Sequence, residues 1–168
     1  VPIENGTVGV DLADLAAGNY SVNVTYGGDN NFNPSSDVAN FTVNNAKPTV
    51  NVNTTDIDYN TAEPIKFNVT GVDDGAVPTG NVTVIVTNSS GDVVFNDTVP
   101  IEDGVVTVPA LPAGDYDVTV TYNGDANYTD TVGKDSFTVN KIDSTVDVDT
   151  SNIAYGDTET IKVTLPED

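Results

Sequence analysis

Carboxylates are the main side chains in this sequence that could carry out chemistry, because most of the alternatives are absent. The 168 residues include 26 Asp and Glu but no His, Cys, Met or Trp. The usual general base, nucleophile and transition-metal ligands are therefore missing. Adjacent acids such as Asp73 with Asp74, or Glu102 with Asp103, are of the type that cleaves glycosides. Both pairs lie in turn-like sequence, where carboxylates are usually solvated, so the sequence predicts a protein that is not an enzyme.

Calcium is the metal that an acid-rich chain of this kind could hold, because Ca²⁺ is bound by clusters of carboxylate and carbonyl oxygens. Asp56 and Asp58 lie between the first two predicted strands of residues 47–140, and Asp73 and Asp74 have no equivalent elsewhere in the chain. The counterparts of Asp56 and Asp58 in the next copy of the repeat described below are Asn152 and Ala154, and no DxDxDG loop occurs. The sequence therefore predicts no cofactor, with calcium at a junction as the alternative.

The net charge of −21 at pH 7 argues against two classes of partner. Nucleic acids and anionic membrane surfaces are repelled by so acidic a chain. The apolar runs are far too short to span a bilayer. We therefore expect no nucleic-acid partner and no membrane insertion in this segment.

Alternation of Val with Asn, Thr and Asp predicts β-strands along most of the chain. Turn signals such as NSSGD, EDG and NGD separate these runs, and no stretch carries a useful helical apolar stripe. Seven short strands with regular turns predict an antiparallel β-sandwich without disulfides. The predicted strands cover residues 49–53, 64–70, 81–87, 92–97, 104–108, 115–122 and 136–140.

The sequence matches itself at an offset of 96 residues. Such a match over much of the chain predicts that a whole domain is repeated in tandem. Upstream, residues 1–10 match residues 99–108 at an offset of 98, so two residues were gained or lost near Leu12. Matches at the offset of 96 include YGGDNNF at 26–32 with YNGDANY at 122–128, LAAGNY at 15–20 with LPAGDY at 111–116, and FTVN at 41–44 with FTVN at 137–140.

The repeat predicts one complete domain and two partial ones. Residues 47–140 are the complete repeat, residues 1–46 the C-terminal half of a preceding repeat, and residues 141–168 the first strands of a following repeat. Neither partial segment can bury a core alone. We expect neighbouring repeats to complete them, either along a longer chain or by strand exchange between chains. Because no Gly/Ser-rich spacer separates the repeats, we expect a stiff, extended rod.

The stretch LPAGDYDVTVTYNGDANY at 111–128 resembles the signature of immunoglobulin-like repeat domains in large bacterial and archaeal surface proteins. The cysteine-free composition, rich in Asn, Thr and Asp, most resembles the adhesin-like proteins of methanogens. The resemblance covers essentially the whole chain. It implies an all-β fold of tandem immunoglobulin-like antiparallel β-sandwiches, an extracellular location at the cell surface, and no catalytic residues. The resemblance also extends to a tyrosine corner at Tyr116, and at Tyr20 in the other copy.

The loop YNGDANY at 122–128 has two interpretations. Tyr122, Asp125 and Tyr128 could form a ligand-binding loop. In the structural interpretation, which we favour, Gly124 supplies a positive φ and Asp125 bonds nearby backbone N–H groups. Each copy would then carry the phrase because each copy needs the same turn.

N-glycosylation is the modification that the sequence supports best, because Asn-x-Ser/Thr sequons recur along the strands. Strands that alternate Val with polar residues also contain N-V-T by chance, so the sequence alone does not decide whether these sites carry sugars. By strand parity most of these Asn side chains face solvent. The candidate sites are Asn5, Asn19, Asn23, Asn40, Asn53, Asn68, Asn81, Asn88, Asn96 and Asn127.

Together these features predict a structural role. We expect a repeat segment of an exported cell-surface glycoprotein, forming a stiff stalk or filament whose partners are neighbouring repeats. The alternative is an adhesive module whose exposed loops bind host or cell-surface glycans or proteins.

Overall fold

The computed structural model describes residues 6–72 and 75–165, and this part of the chain is all-β. Its one helical segment within those ranges is a 3₁₀ turn, Ile101–Asp103. No helix among the described residues is both long enough and apolar enough to cross a membrane. The strands are β1 Gly18–Tyr26, β2 Ser35–Val43, β3 Thr49–Asn53, β4 Ile57–Asp58, β5 Glu63–Thr70, β6 Asn81–Asn88, β7 Val93–Pro100, β8 Val105–Val108, β9 Gly114–Tyr122, β10 Thr131–Asn140, β11 Asp147–Asp149 and β12 Lys162–Thr164.

Strands β3 to β10 form two sheets. One sheet has five strands in the order β4-β10-β9-β6-β7, and the other has three in the order β3-β5-β8. Neighbouring strands are antiparallel except for the short pair β4–β10, which is parallel. We call residues 47–72 and 75–140 the central sandwich. It contains eight strands rather than the seven predicted, because two residues are enough for β4 to pair with β10.

The alternating Val residues supply the core of the central sandwich. Inward residues of β5, β6, β8 and β9 form one apolar cluster, whereas the Asn, Thr and Asp residues between them face outward. Fully burying a side chain of this size contributes about 1.5–3 kcal/mol relative to leaving it exposed. The most deeply buried members are Ile65, Val82, Val84, Val86, Val108, Val118, Val120 and Tyr122.

Strand β3 passes so close to β10 that residue 133 has no room for a side chain. A Cβ at Gly133 would lie 2.6 Å from the carbonyl oxygen of Val50 and 2.8 Å from side-chain atoms of Val50 and Val52. The first half of β10 therefore carries a glycine at an inward position where an apolar residue would otherwise fill the core. The close approach packs β3 directly onto the five-stranded sheet.

A buried carboxylate fixes the bend between β3 and β4. Glu63 is fully buried, and its Oε1 accepts a hydrogen bond from the backbone N–H of Thr55 at 2.8 Å. The hydroxyl of Thr55 lies 3.2 Å from Oε2. The counterpart pair, Glu159 and Ser151, makes the same backbone contact at 2.6 Å.

The flanking hairpins reproduce strand pairs of the central sandwich. β1 and β2 pair in the register of β9 and β10, since Gly18 opposes Val43 as Gly114 opposes Val139. Stacked rings span both pairs, with centroids 5.3 Å apart for Tyr20 and Phe41 and 5.4 Å apart for Tyr116 and Phe137. β11 and β12 likewise pair in the register of β3 and β5. The repeat seen in the sequence is thus also a repeat of strand pairing.

Replacing Gly133 by alanine tests the close approach of β3 to β10. Because the added Cβ would meet backbone, Gly133→Ala should lower the free energy of unfolding by about 1–3 kcal/mol. Urea unfolding followed by tyrosine fluorescence would measure it. The control is Ser136→Ala, which places the same residue at an exposed position of the same strand. Equal stabilities for the two variants would contradict the packing described.

Candidate functional site

The loop between β9 and β10, residues 123–130, contacts the loop before β6, the linker before β3 and the segment before β1. Gly124 has a positive φ of 79°, and the N–H of Asp125 donates to the carbonyl of Tyr128 at 3.0 Å. In the other copy Gly28 has a φ of 81°, and Asp29 N–H donates to Phe32 O at 2.9 Å. The two phrases that recur in the sequence therefore fold into the same turn.

The carboxylate of Asp125 holds this loop in shape. Its Oδ1 accepts hydrogen bonds from the N–H groups of Asn127 and Tyr128, both at 2.8 Å. Its Oδ2 accepts from the N–H and the hydroxyl of Thr79, at 2.9 and 3.1 Å. Partial burial works to raise the pKa of Asp125, but these hydrogen bonds outweigh it and lower the pKa to about 2. The ionised side chain thus joins the loop before β6 to the loop after β9.

Two tyrosines attach the loop to the core. Tyr122 is fully buried and its hydroxyl donates to the carbonyl of Thr79 at 2.8 Å. Burial, followed by the neighbouring Asp125 carboxylate, raises the pKa of Tyr122 to about 12. Tyr128 is also buried, and its hydroxyl donates to the carbonyl of Ala76. A Cβ at Gly71 or Gly75 would collide with that hydroxyl, so both glycines make room for the ring.

The outer side of the loop binds the linker that precedes β3. Ala46 N–H donates to Asn127 O, and Thr129 N–H donates to Ala46 O, both at 2.9 Å. The side-chain amide of Asn45 donates to Ala126 O at 2.9 Å. The linker therefore pairs with the loop like a short parallel strand. We call these contacts, together with the Asn127–Ala17 hydrogen bond described next, the joint.

The side chain of Asn127 reaches beyond the linker to the segment before β1. Its Oδ1 accepts a hydrogen bond from the backbone N–H of Ala17 at 3.0 Å. That segment is itself held by Tyr20, whose hydroxyl donates to the carbonyl of Ala16 at 2.7 Å. Tyr116 makes the corresponding bond to Pro112 O, also at 2.7 Å. Both hydroxyls bond a carbonyl four residues upstream, and the bond at Tyr20 positions the N–H that Asn127 binds.

An open groove of about 480 Å³ lies beside the joint. Small and apolar residues such as Leu15, Ala16, Val43 and Val72 make up much of its lining, and Asp14 is the carboxylate among the described lining residues.

Among the described residues, the other acids singled out in the sequence do not converge. Asp56 accepts a hydrogen bond from Thr138 N–H at 2.8 Å, and Asp58 is exposed. Glu102 and Asp103 are exposed in the 3₁₀ turn, whereas the pair at 73–74 lies outside the described residues. Within residues 6–72 and 75–165, no three acids are grouped so as to hold a metal ion.

The candidate glycosylation sites fall into two groups, apart from Asn5, which lies outside the described residues. Two are partly buried: Asn127 at the joint, and Asn88, whose Oδ1 accepts from Ser90 and Asp92 N–H at 3.0 and 2.9 Å. The rest project from strand faces, where an added sugar would meet solvent. The exposed candidates are Asn19, Asn23, Asn40, Asn53, Asn68, Asn81 and Asn96.

Sequence reasoning missed Thr79, Ala17 and Ala46 as members of the site. Ala17 and Ala46 act through backbone groups, which leave no signature in side-chain type. Thr79 acts through its backbone as well as its hydroxyl, and its sequence position does not show that it lies beside Asp125. One signal in the sequence could have indicated a further contact of the loop: Asn31 and Asn127 recur at the offset of 96, although a turn alone does not require an amide at that position.

The ionised form of Asp125 predicts a specific acid sensitivity. An ordinary Asp has a pKa of about 3.9 in the unfolded chain. Because the folded pKa is lower, the stabilisation is complete above pH ~4 and is lost as the pH falls towards ~2. Asp125→Asn should lower the free energy of unfolding at neutral pH by at least about 1 kcal/mol and flatten its decline in that window.

Urea unfolding at a series of pH values would measure this change. The control is Asp130→Asn, which makes the same change in net charge at an exposed residue of the same loop. If both variants kept the full acid sensitivity of the original protein, the role assigned to Asp125 would be wrong.

Comparison with known proteins gives no family assignment. No protein-family model matches the chain, and a search of curated proteins finds no match to it. Function has to be inferred from the geometry of the molecule itself.

Proposed function

We propose that this chain is a structural segment of an exported surface protein, in which tandem immunoglobulin-like sandwiches form a stiff stalk or filament. In this proposal residues 47–140 are one complete repeat, and the flanking segments belong to the repeats before and after it. The work is mechanical: the sandwiches resist extension and the joints resist bending.

The joint is the observation that carries the proposal. A flexible linker would leave its backbone groups to water, whereas Ala46 uses both its N–H and its C=O in bonds to the loop. The bond from Ala17 to Asn127 adds a contact on the far side of the linker. Contacts on both sides of a linker oppose bending in more than one direction, which is what a stalk requires.

Surface composition supports the same role. The outward positions of the strands carry Asn, Thr, Asp and Ser, and the net charge is −21. A strongly acidic surface keeps long assemblies soluble and discourages pairing between exposed sheet edges. Sugars on the exposed Asn residues would act in the same direction.

The loop itself offers little to a ligand, which weighs against the adhesive alternative. Tyr122 and Tyr128 are buried, and both oxygens of Asp125 each accept two hydrogen bonds. These are the three side chains that a binding loop would have presented. Adhesion by this segment would have to use another surface.

Distance measurements between the two sides of the joint test the proposal. Because the chain lacks cysteine, Ser21→Cys on β1 and Lys134→Cys on β10 would allow specific spin labelling. Pulsed electron paramagnetic resonance of the doubly labelled chain should give a narrow distance distribution. Asn127→Ala should broaden it, because the bond to Ala17 is lost.

The matched control is Asn123→Ala in the same loop. Asn123 bonds Thr83 within the central sandwich, with its Nδ2 donating at 3.2 Å, and so should leave the distribution narrow. A broad distribution in the original sequence would refute a stiff joint. If both variants broadened the distance distribution equally, the cause would be a general loosening of the loop and not the loss of the bond to Ala17.

A further inference from the structure

Two segments of the chain present apolar faces with the alternation of core strands. We call the first the leading face; it borders an open groove of about 880 Å³. We call the second the trailing face; it lies on and around hairpin β11–β12. Their exposed members include Val24, which is 57% exposed, and Val163, which is 56% exposed. The leading face comprises Val8, Val10, Val22, Val24 and Tyr26, and the trailing face comprises Val146, Val148, Ile161, Val163 and Leu165.

The central sandwich contains counterparts of both faces, packed against each other. Val24 corresponds to Val120 and Val163 corresponds to Phe67, and these two counterparts belong to one buried cluster. The remaining members correspond in the same way to residues of β3, β5, β8 and β9. The chain therefore carries, at opposite ends of its sequence, two surfaces whose mode of packing is already visible within it.

We propose that the trailing face of one copy packs on the leading face of a second copy, head to tail. The contact would reproduce the packing of β3 and β5 on β8, β9 and β10. This inference rests on the proposed function, because it supplies the partner that extends the rod.

The joint supports the same arrangement. Asn31 and Phe32 correspond to Asn127 and Tyr128, and Asp29 already folds their loop by accepting from both N–H groups, at 2.7 and 2.9 Å. Phe32 is 69% exposed. On the other side, Ile142 is the exposed counterpart of Ala46. Head-to-tail packing would bring the loop at 27–32 of one copy onto the linker at Ile142 of the other.

Two features make this contact weaker than the packing inside the central sandwich. Neither residues 6–46 nor residues 141–165 carry counterparts of β6 and β7, so less apolar area is buried. In addition, Asp37 is the counterpart of Gly133, where a Cβ would meet Val50 and Val52. In the head-to-tail contact the side chain of Asp37 would meet their counterparts, Val146 and Val148, in the same way. We expect association that depends on concentration. It should strengthen with salt, because two copies of net charge −21 repel each other and about 1 M salt shortens the Debye length to about 3 Å.

Sedimentation velocity of the 168-residue chain, up to millimolar concentration and at low and high salt, would test the proposal. Val24→Asp and Val163→Asp should each weaken self-association at least about tenfold, because each buries a charge in an apolar contact. An equimolar mixture of the two variants should form a dimer and stop, since each retains one intact face. The controls are Thr25→Asp and Thr164→Asp, which add the same charge at exposed neighbouring positions.

Substitution of Asp37 should strengthen self-association instead of weakening it. Asp37→Gly should strengthen association, whereas Asp37→Asn, which removes the charge but keeps the Cβ, should do so much less. Equal effects of the two would overturn the register taken from the central sandwich.

Other outcomes would overturn the proposal itself. One is that the chain stays monomeric at the highest concentration and salt. The other is that either Val variant alone associates as strongly as the original sequence, which would indicate a symmetric contact. Spin-label distances are measured on the dilute monomer. A narrow distribution together with failed association would therefore reject head-to-tail packing and leave the stiff joint intact.

Discussion

The carboxylate of Asp125 is the interaction on which the joint depends. It draws four donors from two loops that are far apart in the sequence, and so fixes the shape of residues 123–130. Hydrogen bonds to an ionised group are the stronger class, at about 1.5–3 kcal/mol each. In that shape the carbonyls of Ala126 and Asn127 face the linker. The same carboxylate recurs at Asp29, where it bonds Asn31 and Phe32 N–H and the hydroxyl of Tyr26.

The joint is continuous with the core, and for this reason we propose that it resists bending. Tyr122, just before the loop, and Tyr128, within it, are both buried in the central sandwich, so the loop cannot move without disturbing them. On the other side, the hydroxyl of Tyr20 holds the segment that Asn127 binds. A chain of side chains and backbone groups thus runs from one hairpin into the next sandwich. This continuity is the physical basis of the mechanical role that we propose.

Sequence reasoning came closest for the strands of the central sandwich with the longest apolar alternation, whereas the prediction at 92–97 missed the end of β7, which continues to Pro100. Residues 49–53 match β3, and the predictions at 64–70, 81–87 and 115–122 differ from β5, β6 and β9 by one residue at an end. In β10 only the last half was predicted, because two inward positions of its first half are Gly133, which admits β3, and Asp135, which accepts from Thr54 at 2.9 Å. The contact of Asp125 with Thr79 could not be predicted, since it joins two loops that only the folded sandwich brings together.

Amide hydrogen exchange at Ala46 is the most direct test of the central claim. Its N–H lies in the linker but donates to the carbonyl of Asn127. If the joint is an ordered extension of the sandwich, this proton should exchange as slowly as those of the paired residues in β9 and β10. Exchange at the rate of an unstructured linker would show that the repeats are joined flexibly and would contradict the account of a stiff rod.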